Sequence, residues 1–216
     1  GVRSFWRSTG PPVASPADPR ALLQAIGDSA RLRYLDGGGA GCTADPERPT
    51  DPDSEPGFNP ERARKLYHHA TFYGFLLCFA STSIATLYHY ALGRAAPYPW
   101  YDLPVVLGTV GGLGLLIGPA GLLAAKRRGN PALQDEARFG MDVAFLVMLF
   151  LAGLTGLALL VLRATPAMGT LLALHLGVVF ALFLTMPYGK FVHGIYRFAA
   201  LLRYAQERRV HTRHEV

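Results

Sequence analysis

Cysteine is nearly absent from this chain, with Cys42 and Cys78 its only two among 216 residues. That excludes a disulfide scaffold. It also excludes an iron–sulfur cluster built by this chain alone, since such clusters take several thiolates and Cys78 lies inside an apolar run. Charge is sparse, at 17% of residues, while 50% are hydrophobic; a disordered chain has the opposite balance. Glycine shows no three-residue period, so collagen is excluded as well. Long apolar runs are missing from the N-terminal part and fall almost entirely after residue 66. The chain opens on a polar, proline-rich arm, so none of its apolar runs reads as a secretory signal peptide.

What is present is four apolar stretches of the right length. A helix needs about 20 apolar residues to cross a bilayer core. The segments Tyr67–Leu92, Leu103–Ala125 and Met141–Leu162 qualify, as does one running from Met168 past Pro187. The last is expected to continue as helix through Tyr188–Tyr204, with a kink at Pro187. Short connections favour antiparallel neighbours. The expected fold class is an all-α membrane protein: a four-transmembrane-helix bundle of up-down-up-down order with a short cytoplasmic N-terminal arm. The divisions that follow are an arm and linker over 1–60, a membrane domain over 61–205 and a basic tail over 206–216.

Net charge is +6, and the positions of the charges explain it. Arg62, Arg64 and Lys65 precede the first span, Lys126, Arg127, Arg128 and Arg138 lie between the second and third, and Arg203, Arg208, Arg209 and Arg213 follow the fourth. The opposite side has Arg94 and Arg163. Positive residues stay in the cytoplasm, so both termini are expected there. The basic balance is then a topology signal with some attraction to anionic lipid, not a nucleic-acid footprint. Tyr88, Tyr90, Tyr98, Trp100 and Tyr101 fall at the other interface, where amphipathic rings prefer to sit.

In the arm, Asp18 can cap a helix, Pro19 suits its first position, and Leu22, Leu23, Ile26 and Ala30 recur at helical spacing to about Tyr34. Glycines at 37–39 and 41 should end it, and Thr43–Asn59 reads as a linker. So small an arm buries too little surface to stand alone, and it should dock on the cytoplasmic face of the bundle or on a partner. Cys42 reads equally as a buried small residue, a metal ligand or a residue with no special role.

Five histidines, His68, His69, His89, His175 and His193, lie in or at the spans, where ionisable groups are costly and point to function. With spans one and four antiparallel, the start of one is expected level with the end of the other. That pairs His68 or His69 with His193 on the cytoplasmic side, and His89 with His175 on the outer side. His175 and His193 are 18 residues apart, which returns to the same helix face at about 100° per residue. His68 misses the face of His89 by roughly 60° and His69 by roughly 160°, so His68 is favoured over His69. Two imidazoles facing across a bundle are what a six-coordinate haem iron takes, and two pairs predict two haems of the b type. Small residues that would let a flat macrocycle approach are Gly177, Gly194, Gly108, Gly111, Gly112, Gly114, Gly153 and Gly156. Arg94, Lys190 and Arg197 are candidates for haem propionates. Asp142, Tyr188 and Tyr196 are candidates for a quinone or proton site, with helix-start and interface roles as equal alternatives. For Asp142 the expected partner is Arg138, Lys190 or water. His211 and His214, in the tail, read as solvated. No catalytic residue is read from the sequence.

Several long runs carry a family resemblance. They are YLDGGGAGC at 34–42, HHATFYGFLLCFASTSIATLYHY at 68–90, LPVVLGTVGGLGLLIGPAGLL at 103–123, GMDVAFL at 140–146 and MPYGKFVHGIYRFAAL at 186–201. The chain resembles the tricarballylate (citrate) utilisation protein B family over nearly its whole length, and its membrane part is more distantly similar in plan to the cytochrome b subunit of respiratory nitrate reductase. The resemblance implies an electron-transfer subunit, in the bacterial inner membrane, serving a flavin-dependent tricarballylate dehydrogenase and passing electrons to quinone. Family members typically carry a cysteine-rich domain with two iron–sulfur clusters ahead of the haem domain. That domain is missing here, so either this chain is the C-terminal part or the clusters are on another chain. Two other readings compete: a carboxylate or metal-ion transporter with histidines lining its path, and a single-haem anchor with one histidine pair purely structural.

Overall fold

The computed structural model describes residues 2–8, 18–33, 60–128, 136–188 and 191–214, and every regular element among them is helical. In chain order these are α1 (Val2–Ser8), α2 (Pro19–Ala30), α3 (Pro60–Leu92), α4 (Leu103–Arg128), α5 (Glu136–Val161), α6 (Met168–Thr185), a 3-10 turn (Met186–Tyr188) and α7 (Phe191–His214). The four helices α3 to α6 hold stretches long and apolar enough to cross a membrane: Ala63–Leu92, Leu103–Arg127, Gly140–Val161 and Met168–Thr185. All but one of their ends match the expected spans to within a few residues. The exception is the fourth, which stops at Thr185 instead of continuing to Tyr204. Pro187 has no N–H and its ring crowds the preceding turn; the chain responds with the 3-10 turn, and helix resumes at Phe191.

Two compact units result, residues 1–50 with 190–216, and residues 51–189. The contacts group α7 with the arm, and the division between the two units falls at 189/190. In this terminal unit, the Asp18 side chain caps α2 by accepting from the Arg20 N–H at 3.0 Å, and Pro19 takes the first helical position. The helix ends at Ala30, earlier than Tyr34, where Leu32 adopts a left-handed φ of 48°. α2 and α7 run antiparallel, tied by Asp18–Arg209 at 3.3 Å and by Arg197 Nη2 donating to the Arg33 carbonyl at 2.7 Å. Ala21 and Ala25 on α2, Leu32 in the turn after it, and Ala199, Leu201 and Ala205 on α7 are buried. Within this unit the arm packs on α7. Phe5 stands edge-on to Tyr196 at 6.3 Å, and Trp6 lies under Arg203 at 6.0 Å. Cys42, the glycines at 37–41, the linker 43–59 and Lys190 lie outside the described residues.

In the second unit, α3 packs on α4, α4 on α5 and α5 on α6. Glycine sets the first contact. A Cβ on Gly111 would sit 2.8 Å from the Cys78 nitrogen and from the Gly74 carbonyl oxygen, and one on Gly114 2.8 Å from the Ala70 carbonyl oxygen. Backbone meets backbone along this seam, the small-residue packing that membrane helices use. Contacts from Gly108 against Ser81 to Gly121 against Tyr67 run in opposite directions along the two helices, so the pair is antiparallel. α4 and α5 are antiparallel too, with Gly112 against Leu157, Gly153 against Leu115, and Lys126 bonded to Asp142. Leu115, Leu149 and Leu182 form the buried cluster, with Phe75, Cys78, Phe145 and Met148 against it. Among the described residues, α3 and α6 approach each other only around the cluster, where Phe75 and Cys78 lie against the group that includes Leu182.

Candidate functional site

The histidines are placed by these contacts. His175 lies on α6, half-buried against α5, its Nδ1 2.9 Å from the Thr155 hydroxyl oxygen. A Cβ on Gly156 would come within 3.1 Å of the ring's Cε1, so the imidazole rests on bare helix backbone. Its level follows from neighbours: His175 meets Gly156, the adjoining Leu157 meets Gly112, and the adjoining Gly111 meets Cys78 and Gly74. His175 is therefore level with the Gly74–Cys78 stretch of α3. His89 is 11 to 15 residues beyond that stretch, roughly 16–22 Å at 1.5 Å per residue. The expected equal depth of His89 and His175 assumed helices with flush ends. α3, at 33 residues, overhangs α6, at 18. His89 itself is exposed, edge-on to Tyr90 at 4.9 Å.

His68 is half-buried on α3, 6 to 10 residues from the level of His175 in the other direction. His69 is also half-buried, and its Nδ1 donates to the Lys65 carbonyl at 2.9 Å while its ring stacks on Tyr73 at 6.0 Å. That bond leaves the His69 Nε2 as the atom with an electron pair to offer, so the local geometry gives no reason to set His69 below His68. His193 is exposed on α7, in the terminal unit.

Most residues proposed to support a cofactor have other work. Arg94 bonds Asp102 at 2.5 Å and lies 4.5 Å above the Tyr88 ring. Tyr98, 8% exposed, has its hydroxyl 3.1 Å from the carbonyls of Ala85 and Arg94, and its own carbonyl accepts from Arg163 at 2.6 Å. Arg163 in turn covers Trp100 at 4.2 Å. Both basic residues on this side are thus spent on fixing the 93–102 connection, a role the sequence reading missed; the nearby acid and aromatics were its signal. Arg197 bonds within the terminal unit, as Tyr196 packs there. Tyr188 closes the 3-10 turn. Asp142 pairs with Lys126 at 2.6 Å, a partner not among those expected, because the antiparallel register of α4 and α5 sets the two opposite.

The glycines are reassigned as well. Gly111, Gly112, Gly114 and Gly153 serve helix contacts, and Gly156 lies against His175. Gly177 has nothing within 4 Å of a built Cβ, and two residues along a helix turn about 200°, so it faces away from His175. Among the described residues, no group of three or more His, Cys, Asp or Glu side chains could hold a bare metal ion.

Comparison with known proteins decides the family. A profile described as Citrate utilization protein B matches residues 1–214. The chain belongs to the citrate utilization protein B family. An Escherichia coli relative named Citrate utilization protein B is 48% identical over 210 residues, covering 97% of this chain and 52% of the relative. This family member thus spans about half the length of the curated relative it matches. No solved structure matches it.

Proposed function

We propose that this citrate utilization protein B chain is a membrane b-type cytochrome. It would carry electrons from a flavin-dependent tricarballylate dehydrogenase, by way of iron–sulfur clusters outside this chain, to the quinone pool of the bacterial inner membrane, with both termini in the cytoplasm. The observation that carries the reading is His175, an imidazole in an apolar span, gripped through Nδ1 by Thr155 with its Nε2 left for a ligand. Haem, when bound, would supply one-electron transfer at its iron. The chain's own part is to present imidazole nitrogens, to keep water away with apolar helices, and to fix the spans through the glycine seams and the Lys126–Asp142 pair. The candidate ligands are His68, His69, His89, His175 and His193.

The test is a dithionite-reduced minus oxidised optical spectrum of the detergent-purified chain, with haem counted per protein. A low-spin b-type spectrum with two haems is expected, and His175→Ala should remove one of them. The histidine that would hold the same haem with His175 is identified by which of His68→Ala, His69→Ala, His89→Ala and His193→Ala removes it. Absence of haem after expression with haem supplied sinks the cytochrome.

A further inference from the structure

Thr155 is 7% exposed on α5, and its hydroxyl oxygen has three neighbours: the Leu151 carbonyl at 2.7 Å, the Ala152 carbonyl at 3.4 Å and His175 Nδ1 at 2.9 Å. A hydroxyl has one hydrogen to give and two lone pairs to receive with. The hydrogen goes to Leu151, the short bond one turn back, as Thr109 bonds Val105 at 2.7 Å and Thr185 bonds Ala181 at 2.8 Å on their own helices. What faces His175 is then a lone pair. Two facing lone pairs repel, so Nδ1 must carry the imidazole hydrogen and donate it. In a neutral ring the other nitrogen, Nε2, is left as the electron-pair donor.

We propose that Thr155 is a positioning residue that locks His175 in the Nδ1–H tautomer and so presents Nε2 as the ligand atom; that the acceptor is haem iron rests on the cytochrome reading above. Metal-bound histidines commonly donate their second N–H to a fixed acceptor, which orients the ring and raises its basicity. Gly156 completes the seat. A methyl group there would stand 3.1 Å from Cε1 and 3.6 Å from Nδ1, close enough that the ring would have to give by a few tenths of an ångström.

The experiment reads the tautomer directly. The full 216-residue chain, labelled with 15N-histidine and produced in a haem-deficient host, gives ring spectra that show which nitrogen bears hydrogen; the His175 signal is the one missing from His175→Gln. The wild type should show Nδ1–H, Thr155→Ser should keep it, and Thr155→Val, with the same shape and no hydroxyl, should shift the ring toward the Nε2–H form. Nε2–H in the wild type overturns the proposal without any variant, and so does Nδ1–H persisting in Thr155→Val. With haem loaded, Thr155→Val should weaken haem binding by about 10- to 100-fold and move the midpoint potential upward, with Thr155→Ser close to wild type. A wild-type chain that takes no haem defeats the cytochrome reading, while the tautomer spectra still decide the role of Thr155.

Discussion

The inner and outer helices of the membrane unit are alike in composition and unlike in use. In their most apolar windows, α4 and α5 are 33% and 22% buried, whereas α3 and α6 are each 6% buried. The inner pair holds most of the glycine that lets backbones touch, and Pro119 lies fully buried within it. The outer pair holds His68, His69, His89 and His175 and presents large side chains such as Phe79, Leu87, Phe180 and Leu184 to its surroundings. Stability is concentrated where residues are small, and candidate chemistry where helices are packed on one side only.

Gly111→Val is the strongest attempt to break that division. The new Cβ meets backbone atoms of Cys78 and Gly74 at 2.8 Å, and backbone cannot swing aside as a side chain does. A loss of about 3 kcal/mol is expected, read as a lower unfolding midpoint in detergent and SDS mixtures. A near-neutral result would show that the α3–α4 seam is not what holds the unit. Asp142→Asn comes next. It leaves Lys126 with a neutral partner in a pair whose side chains are 20% and 13% exposed, and the expected loss is about 2 kcal/mol. The double variant Lys126→Met/Asp142→Leu should recover part of it. If quinone reduction fails in the double variant while stability returns, Asp142 has a second role beyond the pair.

The same division shows what could be read from the sequence. The four spans, the Asp18 cap, the Pro19 start and the family were legible because each is written locally, in apolar run length, capping chemistry or motif. The depth pairing of His89 with His175 was not. Helical period gives the face a residue occupies, but level between helices depends on register, and register here is set by where Gly111, Gly114 and Gly156 let neighbours close. Arg94 was read as a cofactor cation because its partner Asp102 comes from the far side of a connection whose path sequence does not give. Pro187 was read correctly as a disturbance and too weakly, since a kink and a break have the same local signature.

Arg163→Gln probes the connection that joins outer to inner. It removes the 2.6 Å bond to the Tyr98 carbonyl and the stacking on Trp100, for an expected loss of about 1 kcal/mol. Limited proteolysis should then cut sooner within residues 93–102, with haem content unchanged.

The smallest effect is also the sharpest contrast. Gly177, like Gly111, is a glycine inside a membrane helix, but a Cβ on it meets nothing within 4 Å. Gly177→Ala gains helix propensity and loses no contact, so it should stabilise by about 0.5 kcal/mol, opposite in sign to Gly111→Val. Because residue 177 faces away from residue 175 by about 200° of helix rotation, haem content should stay at the wild-type value. A drop in haem with stability intact would put the cofactor on the Gly177 face of α6, and the Thr155–His175 contact would then be a packing contact alone. Slightly raised stability with equal haem would leave the glycines of this protein with two separate meanings: a requirement at the inner seam, and a free position on the outer helix.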